Sequence, residues 1–266
     1  MNVLPRARFA PHVVITGASS GLGAALAAQY AARHARLSLM GRNRDRLEAV
    51  QALAAKTGGR AECFYGDVRE SESMRETLIR IDDNQAVTLI IANAGIGGAY
   101  ALSTREGELA SVARNLISTN VLGVINTITP LLPRLIARRH GHIVIIGSIA
   151  GFTALPETPA YCASKAAVHI YGTALRRNLL GSGVDVTVVS PGFIATPMSA
   201  SLPTPTPFLA PAERAASRIV QAIDKRKREL SFPWPLTWAA RLDRWLPPSI
   251  GDRMMTALVS RMEARW

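Results

Sequence analysis

Thr16-Gly17-Ala18-Ser19-Ser20-Gly21-Leu22-Gly23 decides the fold. It follows a short apolar run, His12–Thr16, and opens Leu22–His34, whose apolar residues recur at helical spacing. Gly17 allows a sharp turn, Gly21 lets the backbone approach a bound pyrophosphate, and Gly23 lets the helix pack closely on the strand. The new helix then offers unpaired N–H groups and the positive end of its dipole to phosphate. Ser19, Ser20 and Leu22 belong to the same cradle. Any tight strand-to-helix connection can use glycines, so the turn does not carry the assignment alone.

The same alternation runs outward from it. Apolar runs at Arg36–Met40, Ala61–Tyr65, Thr88–Ile91, His142–Gly147 and Val184–Ser190 read as strands. Leu22–His34, Arg44–Lys56, Glu70–Ile81, Asn115–Arg139 and Ala160–Leu180 read as helices between them. Strands alternating with helices imply right-handed crossovers. The expected fold is α/β: a doubly wound parallel sheet of about seven strands with helices on both faces. Ala212–Arg226 adds a helix and Glu229–Phe232 a last strand. Phe193–Pro211 holds Pro197, Pro203, Pro205, Pro207 and Pro211, and reads as an irregular loop.

A strand that serves NAD ordinarily ends in Asp or Glu, which holds the ribose hydroxyls. Here the second strand ends Leu39-Met40-Gly41-Arg42, with no acid at that place. A guanidinium there suits a 2′-phosphate, and NADP is the expected cofactor. The other reading of Arg42 is a surface charge.

Further pieces follow in order: Asp67 and Val68, Asn93-Ala94-Gly95, Asn120 in Thr119-Asn120-Val121-Leu122-Gly123, Ser148, Tyr161-x-x-x-Lys165, and Pro191-Gly192 with Thr196. In order and spacing, residues 10 to about 230 resemble the short-chain dehydrogenase/reductase family, in its Rossmann-type branch of about 250 residues. The resemblance implies that Asp67 and Val68 meet the adenine. It implies that Asn93, Ala94 and Gly95 line the channel to the nicotinamide ribose, although a strand-end turn is the other reading of that triplet. Ile194 and Thr196 would approach the carboxamide, and Pro191 and Gly192 would belong to the same cofactor site. Asn120 would hold, through its side chain or local backbone, a water linking Lys165 to solvent. Helices Asn115–Arg139 and Ala160–Leu180 would form the bundle of a homodimer; a homotetramer is the other implied assembly.

The chemistry has its own argument. Tyr161 and Lys165 are one helical turn apart and share a face. A free phenol, with a pKa near 10, is a poor base at neutral pH. A neighbouring ammonium and an oxidised nicotinamide both favour phenolate. Tyr161 can then exchange a proton with a substrate oxygen. Ser148 follows a strand at the edge where parallel sheets place their sites, and its hydroxyl can orient a developing alkoxide. The expected catalytic set is Asn120, Ser148, Tyr161 and Lys165. The expected activity is hydride transfer between NADP(H) and a carbonyl or secondary alcohol. The alternative is a cofactor-binding regulator with little turnover.

Composition narrows the rest. Two cysteines, Cys63 and Cys162, read as free thiols, and no spacing suggests a metal site. No leader segment is read at the N-terminus, and no run approaches the roughly 18 apolar residues of a spanning helix. A cytoplasmic location is expected. The net charge of +12 comes without a nucleic-acid motif, so no nucleic-acid partner is expected. Residues 1–232 read as one dinucleotide-binding catalytic domain. Residues 233–266 read as a helical extension holding Trp234, Trp238, Trp245 and Trp266 among arginines. It rests on its own domain, on a partner subunit or on an anionic membrane surface. Phe193–Pro211 is expected to close as a lid over a largely apolar small-molecule substrate.

Overall fold

The computed structural model describes residues 11–97, 110–202 and 206–253. Its strands are β1 (His12–Thr16), β2 (Arg36–Gly41), β3 (Arg60–Tyr65), β4 (Leu89–Ala92), β5 (Gly141–Ile146), β6 (Val184–Pro191) and, last in the main sheet, β9 (Glu229–Phe232). They form one sheet ordered β3-β2-β1-β4-β5-β6-β9, parallel at every pairing. β1, β4 and β5 are buried at every position, as central parallel strands must be.

Alternate side chains serve opposite faces. Val13 and Ile15 join Leu26, Leu37 and Ile219 on one side; Val14 joins Met74, Ile90 and Ile143 on the other. The first layer contains α1 (Gly21–Ala31), α2 (Arg44–Lys56) and α9 (Ala212–Asp224). The second contains α3 (Ser71–Asn84), α4 (Ala110–Ile117), α5 (Gly123–Ile128), α6 (Leu132–Arg138) and α7 (Pro159–Asn178). Fully burying each such aliphatic side chain contributes roughly 1.5–3 kcal/mol. The winding reverses between β1 and β4, the place where such sheets open a ligand crevice.

Three expectations need correction. Asn115–Arg139 is not one helix. It begins earlier, at Ala110, widens into a π turn at Ser118–Leu122, and breaks between Ile128 and Leu132. Pro130 lies in that break and cannot donate to the helical ladder. Second, Ala110–Arg138 is apolar and long enough to meet the composition of a membrane-spanning helix, with 44% of its apolar window buried inside the fold. Packing against α3 and α7 covers the buried part of that window. Third, Phe193–Pro211 is not wholly irregular. β7 (Ile194–Ala195) pairs with β8 (Ala210–Pro211), and α8 (Pro197–Ala200) lies between them. Its prolines fall where they are tolerated: Pro197 at the first turn of α8, and Pro211 at the start of α9. Pro203 and Pro205 lie outside the described residues, as does the tail beyond Arg253. Beyond β9, α10 (Trp234–Asp243) packs Thr237 and Ala240 inward against the Ile149–Phe152 turn and β9.

Candidate active site

The C-terminal ends of β1, β2, β4, β5 and β6 open on one cavity of about 1170 Å³. Gly17, Ser19, Ser20, Gly21, Leu22 and Gly23 line one arm. Ser20 is the N-cap of α1, yet its side chain makes no capping hydrogen bond, and the first turn carries no acid. The first-turn N–H groups are therefore left for an anion. Gly17 has φ +65°, and a Cβ there would stand 2.8 Å from the Ala94 Cα. A side chain at Gly17 would thus be strained and would also push the turn off β4.

Asn93 braces that contact. Its amide donates to the carbonyls of Thr16 (3.0 Å) and Gly17 (3.2 Å). The Thr16 hydroxyl accepts from the backbone N–H of Asn93 and of Ala94, both at 3.2 Å. Asn93 follows the last residue of β4 and lines the cavity with Ala94 and Gly95. The contact between Thr16 and Asn93 escaped the sequence reading because it spans 77 residues.

At the far arm stand Arg42, Asn43 and Arg46. Asn43 caps α2 by accepting from the Arg46 N–H at 2.9 Å, which fixes Arg46 on the cavity side of the first turn. Arg46 was missed by sequence reading; its only signal was its place in the alternating run Arg42, Arg44, Arg46. Asp67 and Val68 also line this arm. Asp67 is gripped by Arg69 at 2.7 Å, while Arg42 stands 3.5 Å away. Hydrogen bonds from the Arg69 side chain and backbone outweigh partial burial and hold the Asp67 carboxyl below its ordinary range, with Arg42 adding a smaller push. The Arg42 side chain remains 61% exposed, so its guanidinium has room for a further anion.

The middle of the cavity gathers Ser148, Tyr161 and Lys165. Ser148 Oγ accepts from the Ala150 N–H at 3.1 Å, which leaves its own hydrogen to donate. Tyr161 lies in the first turns of α7, and Lys165 one turn further. Lys165 is buried; its ammonium donates to the Ile146 carbonyl at 3.3 Å. Burial draws its pKa from 10.5 to about 8. Gly95 lets this group in: a Cβ there would lie 3.4 Å from Lys165 Nζ and 3.2 Å from Asn120 Oδ1.

Asn120 is buried in the π turn and does not line the cavity. Its Oδ1 accepts from the Ile96 N–H at 2.8 Å, and its Nδ2 donates to the Ile96 carbonyl and to Ser164 Oγ, both at 3.0 Å. Both amide hydrogens are thus committed within the protein. Pro191, Gly192, Ile194 and Thr196 also line the cavity. Thr196 caps α8 reciprocally with Ser199.

The remaining wall is largely apolar: Ile149, Leu155, Phe193, Met198 and Leu202. Leu236, Ala239, Ala240 and Asp243 of α10 complete it. That the extension lines the cavity had no signal in the sequence. Among the described residues, no group of three His, Cys, Asp or Glu side chains is placed to hold a metal.

A family model described as short chain dehydrogenase matches residues 11–206. An uncharacterized oxidoreductase of Myxococcus xanthus is 35% identical over 240 residues, covering 90% of this chain and 94% of its own. A short-chain dehydrogenase from Sphingobium yanoikuyae, solved with NADPH, superposes with TM-score 0.77 and 28% identity over 94% of this chain and 95% of its own. A second, from Mycobacterium paratuberculosis and bound to NAD, has TM-score 0.77 and 23% identity, covers 86% and 98%, and bears on the fold alone. The glycine turn, the seven-stranded parallel sheet and these likenesses agree: the chain belongs to the short-chain dehydrogenase family of oxidoreductases.

Proposed function

We propose that the protein is an NADP(H)-dependent oxidoreductase that interconverts a carbonyl compound and its secondary alcohol, with Tyr161 exchanging the proton. The observation that supports this most is the meeting of Ser148, Tyr161 and buried Lys165 in the cavity that also holds the glycine turn. The unfilled first turn of α1 and the tight Gly17 contact fit a dinucleotide's pyrophosphate. When bound, the nicotinamide supplies or accepts the hydride. The Ser148 hydroxyl donates to the substrate oxygen and orients it. Lys165, with its pKa near 8, keeps its charge at pH 7 and favours the anionic form of its Tyr161 neighbour. Tyr161 hands its proton to the oxygen during reduction and recovers it through Lys165. Asn120 acts behind them, holding the Ile96 backbone and Ser164 against the lysine.

NADP is preferred to NAD on the evidence of Arg42 and Arg46, two guanidiniums on the arm that takes the adenosine. Asp67 and Val68 would border the adenine, Ala94 and Gly95 the ribose, and Pro191, Gly192, Ile194 and Thr196 the carboxamide. A homodimer is read from the apolar side chains left exposed on the paired helices: Ile117 on α4, Leu122 beside it and Ile170 on α7. Peripheral contact with an anionic membrane is read from α10. Trp234, Trp238, Leu242 and Trp245 recur at helical spacing and stand outward, with Arg244 alongside, in a chain of net charge +12. A second copy placed on this face would bring like charges together.

The test is oxidation of NADPH against a panel of aldehydes and ketones at pH 7, with Tyr161→Phe as control. Turnover that falls at least about a hundredfold in the variant is expected. Tight NADPH binding with no turnover, equal in both proteins, would favour a regulatory binding role.

A further inference from the structure

The substrate half of the cavity contains a polar corner that the reduction itself does not use. Thr158 is the N-cap of α7, one turn ahead of Tyr161, but its side chain does not cap the helix. It is 1% exposed, lines the cavity, and its Oγ1 has no hydrogen-bond partner. An unpartnered buried hydroxyl costs free energy unless a bound group satisfies it. The Asp243 carboxylate, from the last turn of α10, lines the same half. Its Oδ2 accepts from Thr153 Oγ1 at 2.7 Å, which ties the extension to the turn after Ser148. Accepting one hydrogen bond leaves a carboxylate capacity for more. Glu157 adds a second carboxylate. Among the described lining residues, Lys165 is the one basic side chain on this side, and Arg42 and Arg46 lie at the opposite arm.

We infer that Thr158 and Asp243 form a subsite for a hydroxyl group carried by the substrate away from its reacting carbon, and that the same corner turns away compounds bearing a carboxylate or phosphate. A hydroxyl is the group that can both donate to a carboxylate and accept from a threonine. An anionic substituent would face Asp243 and Glu157, while Lys165, the one cation on this side, is held at the Ile146 carbonyl, and like charges in a partly dry cavity repel strongly. The surrounding Leu155, Met198 and Leu236 fit an apolar body. The substrate class is therefore a neutral, apolar hydroxy-ketone or the corresponding diol. This inference rests on the reductase reading above.

The experiment takes the ketone turned over fastest in the carbonyl screen and compares three forms of it, ending in hydroxymethyl, methyl or carboxylate. Each is assayed by NADPH oxidation with the native protein, Asp243→Asn and Thr158→Val. Asparagine keeps an oxygen for Thr153, so α10 stays tied while the charge goes. The native protein is expected to favour hydroxymethyl over carboxylate by about a hundredfold in kcat/KM. Asp243→Asn should raise kcat/KM for the carboxylate form about tenfold and leave the methyl form within about twofold. Thr158→Val should raise KM for the hydroxymethyl form about tenfold, with kcat and the methyl form little changed. Equal use of carboxylate and hydroxymethyl forms by the native protein overturns the inference. So does a variant that shifts all three forms alike, since that is a structural effect. Absence of turnover with every carbonyl removes the reductase reading, and this one with it.

Discussion

The Lys165 ammonium lies 5.7 Å from the centre of the Tyr161 ring, with its charge buried behind it. That burial has a sign for stability. In the unfolded chain the lysine holds its proton to about 10.5; in the fold it lets go near 8. The unfolded state therefore binds more protons between those values, and stability rises with pH across that window. Lys165→Met removes the cost. It should lose at least about a hundredfold in activity yet melt about 2–4 °C above the native protein at pH 7. The gap should narrow as pH approaches 10. A variant that melts lower at pH 7 contradicts this account.

Arg42 and Arg46 give the cofactor preference a direct test. Replacing both by alanine should raise KM for NADPH about a hundredfold and leave KM for NADH within about threefold. Equal use of the two cofactors by the native protein would count against the assignment.

Asp82 tests the frame behind the site. Its carboxylate accepts from the Val87 N–H at 2.8 Å, from Arg138 at 2.7 Å and from Arg134 at 3.1 Å. Burial pushes its pKa up, but Arg138, Val87 and Arg134 together outweigh it and hold the pKa below its ordinary value. The stabilisation is present above the unfolded carboxylate range and is lost as pH falls through the folded value. Asp82→Asn should cost about 2 kcal/mol at pH 7, discounted because both arginines are partly exposed. Urea midpoints of the two proteins should converge in acid.

Trp234, Trp238 and Trp245 are 72%, 69% and 86% exposed. Changing all three to serine should abolish flotation with vesicles rich in phosphatidylserine at low salt and leave turnover of soluble substrates unchanged. Native protein that fails to float sinks the membrane reading.

The sheet was legible because its central strands are mostly apolar: HVVIT, LIIA and GHIVII need no tertiary information. The glycine turn and the Tyr161–Lys165 pair were legible because each is local. The break near Pro130 was readable from proline chemistry but was overridden by the long apolar pattern around it. What could not be read were contacts distant in sequence. Thr16 against Asn93, Asn120 against Ile96 and Ser164, and Thr153 against Asp243 leave no local periodicity. The prolines of Phe193–Pro211 misled because their density hid how individually well placed Pro197 and Pro211 are.

All four tryptophans follow Pro233, and three of them stand on or just beyond the helix that walls the cavity. Indole emission therefore comes wholly from the segment after Pro233, and three of its four sources stand at that wall. Quenching by acrylamide, or energy transfer to reduced nicotinamide, would register any swing of the wall without a label. The protein carries its own optical gauge of cleft opening.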